Sequence, residues 1–138
     1  MEELIKVLLR AETDGSISFG NYTLNKKEKL KDFEHRGDLY KVKTHSEVTK
    51  LEKNGMFCYE SVPGSTVGHF NATIQGVEFI VSGAEDVHIT IQLEENMLYE
   101  VFVKEVSVGE MKTNISGKLI CSVELNEGEL VPVKIVRV

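Results

Sequence analysis

The chain has 138 residues, 41% hydrophobic and 28% charged, with a formal net charge of -6 at pH 7. Those proportions argue against long disordered stretches, and the acidic balance argues against general affinity for nucleic acid, whose phosphates need clustered Lys and Arg. No run nears the roughly 20 apolar residues of a membrane helix, so one soluble domain with a substantial core is expected.

Leu4-Ile5-Lys6-Val7-Leu8-Leu9 is too short for a signal-peptide core with its cleavage site, and Arg10 and Glu12 follow at once. A cytoplasmic location is therefore expected, and the sequons at Asn21, Asn71 and Asn114 carry no weight in such a chain. The alternation of Ile5, Val7 and Leu9, the turn Thr13-Asp14-Gly15 and the run Ser16–Phe19 predict a β-hairpin. Asn25 to Phe33 reads either as a short helix or as a polar loop. Asn25 and Glu28 resemble a capping box, and Leu24, Leu30 and Phe33 could share a helical face. Lys26, Lys27, Lys29 and Lys31 alternate with acids there and suit a solvated face.

His35-Arg36-Gly37-Asp38 predicts a turn into a strand over 39–43. Val48 and Leu51 suit one helical turn, but Asn54-Gly55 is also a strong hairpin turn into Met56–Tyr59. Strands on both sides favour the hairpin. Val62-Pro63-Gly64-Ser65 suits a type II turn. Strands are then expected over 67–74, 77–81, 87–93, 98–103, 107–112, 118–125 and 131–138. Val87, Ile89, Ile91 and Leu93 should face one way, as should Leu119, Cys121, Val123 and Leu125, because side chains alternate along a strand. Val101, Val133 and Ile135 should join them in the core. Pro132 cannot donate to a ladder, so the last strand is expected at an edge, at least at its start.

Short strands with turns about every 8–12 residues predict an all-β, antiparallel β-sandwich, immunoglobulin-like or carbohydrate-module-like, with an N-terminal β-hairpin extension. Residues 1–55 are expected as a β-rich extension packed on a sandwich core of 56–138, one structural domain overall. Cys58 and Cys121 could bridge two sheets, but two buried reduced thiols are the preferred reading in a chain with no Trp and no tyrosine corner.

The four histidines are dispersed, with no metal-ligand spacing, so neither a metal nor a cofactor is expected. His88 beside Glu85 and Asp86 is the one grouping worth weighing as acid–base machinery, against the plainer reading of an exposed strand histidine near a turn. No Gly-x-Ser-x-Gly, Cys–His or phosphate-loop signature occurs. The remaining acid pairs, Glu94/Glu95 and Glu127/Glu129, fall in turn-like positions. Tyr22, Tyr40, Tyr59 and Tyr99 would form a glycan platform only if exposed together; packing is the alternative.

The segments Gly37–Thr44, Thr49–Phe57, Tyr59–Ser65 and Met111–Leu119 resemble a family of small proteins of anaerobic Firmicutes often labelled "endosialidase". The likeness covers nearly the whole chain and implies glycan chemistry. The sialidase Asp box ends in Trp, which this chain lacks, and a propeller needs at least about four blades, so no site residue transfers. Tyr99–Leu125 loosely resembles carbohydrate-associated β-sandwich modules. The resulting expectation is a non-enzymatic interaction or structural module, self-associating as a dimer or trimer through its apolar terminal strands. The rival is a carbohydrate-binding module or small glycan-active protein, with a glycan as partner.

Overall fold

The computed structural model describes residues 8–138; Ile5 to Val7 of the expected first strand lie outside them. The first part of the chain forms β1 (Leu9–Ala11), β2 (Ile17–Phe19), β3 (Glu28–His35), β4 (Asp38–Thr44) and β5 (Thr49–Lys53). Then come β6 (Met56–Val62), β7 (Thr66–Thr73), β8 (Gly76–Ser82) and β9 (Val87–Gln92). The last four are β10 (Leu98–Val103), β11 (Val106–Lys112), β12 (Lys118–Val123) and β13 (Val131–Arg137). Every pairing is antiparallel. One sheet runs β1-β2-β7-β8-β13-β10-β11 and the other β12-β9-β6-β5-β4-β3. The two pack as a β-sandwich. No helix long and apolar enough to cross a membrane occurs among the described residues.

Alternation in sequence becomes the core. Val87, Ile89 and Ile91 of β9 and Leu119, Cys121 and Val123 of β12 are buried, whereas Ile120, Ser122 and Glu124 point outward. Val101, Leu125, Val133 and Ile135 are buried too, and Leu93 partly so. Each large apolar side chain so placed contributes about 1.5–3 kcal/mol. At the centre the Tyr59 ring meets Phe19 edge-on at 5.2 Å and Phe79 at 5.8 Å. Its hydroxyl is satisfied inside the sandwich, 2.8 Å from Ser65 Oγ, which in turn lies 2.6 Å from Ser61 Oγ. Ser65 and Thr49 bond twice more, the Thr49 hydroxyl donating to the Ser65 carbonyl and accepting its amide. Buried polar groups demand such partners.

Two-residue hairpin turns of type I′ need two successive positive φ values to match strand twist. Arg36 (+53°) and Gly37 (+85°) provide them between β3 and β4, and Asn54 (+54°) and Gly55 (+78°) between β5 and β6. The hairpin reading of Asn54-Gly55 therefore holds.

Three expectations are corrected. Residues 28–35 are neither helix nor loop but the edge strand β3. Its register slips between Leu30 and Phe33, with Asp32 at φ +58°. A bulge adds a residue, so two apolar side chains three apart reach one face and imitate helical spacing. The turn at 62–65 is not type II, because Gly64 does not adopt the positive φ that type requires. Glycine is needed there for another reason: a Cβ would stand 1.9 Å from the His45 carbonyl oxygen. The Val62–Pro63 peptide is cis. Finally, β13 as a whole is not an edge strand but lies between β8 and β10, although at its start Val131 and Pro132 have ladder partners only on β8. Pro132 is tolerated because its carbonyl, and hence its nitrogen, faces past the end of β10, where the Lys104 amide donates to that carbonyl at 2.9 Å. The C-terminal run therefore offers no open edge.

Candidate functional site

The seven side chains singled out from sequence do not converge. Tyr59 and Tyr99 are core residues, the Tyr99 hydroxyl accepting the Glu94 amide at 3.2 Å. Burial pushes the Tyr59 hydroxyl well above the usual phenol range. Tyr22 is half-buried and donates to Glu127 at 3.2 Å; Tyr40 packs half-buried against the core. His88 is exposed, with Nδ1 2.8 Å from Ser122 Oγ. Asp86 accepts the Leu125 amide at 2.9 Å, which ties the turn before β9 to the end of β12, and Glu85 is exposed. No hydrogen bond or ion pair joins any two of these seven side chains, and no three tyrosines share an exposed face. Among the described residues no group of three or more His, Cys, Asp or Glu side chains could hold a metal ion. Cys58 and Cys121 are free, and burial raises both thiols to about 11, far from reactive thiolates.

Instead, an open groove of about 830 Å³ crosses the outer face of the seven-stranded sheet. Strand register builds it row by row. Asn71 of β7 stands opposite Glu78 of β8, Glu78 opposite Lys134 of β13, and Lys134 opposite Phe102 of β10. Ile80 faces Pro132 in one neighbouring row and Val136 faces Glu100 in the other. Ile80, Phe102 and Val136 are only half-buried, with no further layer over them among the described residues. The floor is therefore apolar, and two carboxylates flank its lysine. Glu100 is steadied by the Ser107 hydroxyl at 2.7 Å.

One wall is a polar cluster. Asp14, in the turn between β1 and β2, accepts the Ser16 amide at 2.9 Å and the Ser16 hydroxyl at 2.5 Å. His69 stands on the irregular stretch of β7 with φ +51°. Its amide donates to Ser18 Oγ at 3.0 Å, and that hydroxyl donates to Glu12 at 2.5 Å. His69 Nδ1 lies 3.0 Å from Asp14 Oδ2 and 3.3 Å from Ser16 Oγ. These residue types invite comparison with an acyl-transfer triad, but the arrangement is not a relay. In a relay the serine meets one ring nitrogen and the carboxylate the other. Here both meet Nδ1, the serine hydroxyl already donates to Asp14, and Ser16 is buried. The cluster clamps a turn to a strand.

The groove was not legible because each strand supplies one or two residues that look solitary in sequence. His69 is one of four dispersed histidines in the sequence, and Phe102 and Lys134 are ordinary outward positions. No protein-family model, no curated protein and no solved structure matches the chain.

Proposed function

We propose that the protein is a non-enzymatic interaction module whose ligand seats in the groove on the seven-stranded sheet. The carrying observation is the half-buried apolar floor of Ile80, Phe102 and Val136, set between Glu78, Glu100 and Lys134. Concave sites with apolar floors and a few convergent polar groups are the usual places for ligands. Such a lining suits an elongated molecule with apolar faces and hydrogen-bonding edges. A glycan is the second reading, favoured by the Phe102 ring lying among carboxylates and an amide that can accept from hydroxyl groups. The free Cys58 and Cys121 fit a reducing, cytoplasmic compartment.

The test is a titration of isotope-labelled protein, read by amide chemical shifts, with sialic-acid oligomers and separately with a mixed-charge peptide library. Shifts should centre on residues 78–80, 100–102 and 133–136 and vanish in a folded Phe102→Ala variant. Shifts confined to the opposite sheet would overturn the groove reading. Purified protein should release no sialic acid from a polysialylated substrate. Release abolished by Ser16→Ala or by an Asp86 substitution would overturn the non-enzymatic reading.

A further inference from the structure

Open sheet edges accept added strands unless they are shortened, bulged or charged. Among the described residues, three of the four edge strands are protected in this way. β1 has three residues. β3 is bulged at Asp32 and carries Lys29 and Lys31. β11 has a register break and Gly109 at φ +118°. β12 has neither bulge, Gly nor Pro, and its register against β9 is unbroken from Lys118 to Val123.

The direction of its free groups follows from its ends. The Gly117 carbonyl accepts from Leu93 and the Leu125 amide donates to Asp86, so odd-numbered residues bond toward β9 and even-numbered ones face away. The Lys118 backbone is already occupied by Asn114, whose side chain accepts its amide at 3.0 Å and whose amide donates to its carbonyl at 3.3 Å. Ile120, Ser122 and Glu124 are left with backbone groups aimed at solvent, and the Ile120 side chain is 63% exposed.

We propose that a second copy of this chain occupies this edge, β12 against β12 antiparallel, about a two-fold axis through Cys121. The sequence is self-complementary in that register. Ile120 faces Ser122 of the second copy, both outward-directed, so their backbones exchange hydrogen bonds. Lys118 faces Glu124 of the second copy, and symmetry makes this opposite-charge pair twice. Moving the axis to Ser122 would set Glu124 against Ile120 and lose both pairs. Lys118 now holds its ammonium 4.7 Å from the Phe57 ring, and its flexible stem also reaches the edge. The six-stranded sheets of two subunits thereby become continuous, on a surface separate from the groove.

Sedimentation equilibrium of the full chain, over a dilution series from millimolar to sub-micromolar, tests this. The mass should rise with concentration from 15.5 kDa to twice that value. Ser122→Pro removes an outward amide together with the hydroxyl that meets His88, leaves the backbone bonds to β9 intact and should give a monomer. Lys118→Glu and Glu124→Lys should each weaken association about tenfold, and the double charge swap should restore it. Should Ser122→Pro fail to fold, as judged by circular dichroism, the charge-swap series decides. A monomer throughout, or a dimer that the charge reversals do not weaken and the swap does not recover, overturns the proposal.

Discussion

Asp14 Oδ2 stands 3.0 Å from His69 Nδ1, joining the turn between β1 and β2 to the irregular stretch of β7. The Ser16 hydroxyl, then the Ser16 amide and to a lesser degree His69, hold the Asp14 carboxyl down from 3.8 to about 2. A carboxylate whose folded value lies below its unfolded one stabilises above the unfolded value, and that contribution fades as pH falls through the folded value. Wild type should therefore melt above Asp14→Ala at pH values higher than 3.8, with the gap closing towards pH 2. Thermal melts at several pH values check this, and a constant gap would contradict it. The carboxylate is solvent-exposed, so the gap should be small.

Tyr59→Phe keeps the aromatic packing and removes the hydroxyl that meets Ser65 inside the sandwich. It should cost about 1–2 kcal/mol in denaturant unfolding. Tyr59→Ala also empties space beside Phe19, Phe70 and Phe79 and should cost about 3–5 kcal/mol. Equal losses in the two variants would mean that packing contributes little there.

Gly64→Ala should be far worse than Gly37→Ala. The added Cβ at Gly64 meets a backbone carbonyl at 1.9 Å, whereas Gly37 has open space and only its φ of +85° to strain. Losses of about 3 kcal/mol or more and about 1–2 kcal/mol are expected, measured by chemical denaturation. The reverse order would contradict the close approach of the Pro63–Ser65 turn to His45.

Thr66 and Ser82 are register partners on β7 and β8, and both hydroxyls are buried without a hydrogen-bond partner. A buried hydroxyl left unpaired is destabilising. Thr66→Val should therefore raise stability by about 1 kcal/mol, seen as a higher denaturation midpoint. A lower midpoint would mean that the hydroxyl is satisfied in solution.

Strands with one wet and one dry face were legible. The burial of Leu119, Cys121 and Val123 and the exposure of Ile120 and Ser122 follow directly from period two. β3 was not legible, because the bulge at Asp32 breaks the period of two and leaves Leu30 and Phe33 at helical spacing. Pro132 misled about the strand as a whole, because its nitrogen faces beyond a neighbouring strand's end while the rest of β13 is paired on both sides. The site was the least readable part. Seven residues chosen by type proved to be scattered, whereas the groove is a product of which strands lie side by side.

The place of β13 has a consequence for the order of assembly. Strands β3 to β6 are neighbours in both sequence and sheet, so each can pair as it leaves the ribosome. The other sheet stays in two pieces, β1-β2-β7-β8 and β10-β11, until β13 is made and joins them. Pro132, Lys134 and Val136 belong to that last strand and to the groove. The groove is thus complete only when β13 has joined the two pieces of its sheet, a step that local hairpin pairing cannot accomplish.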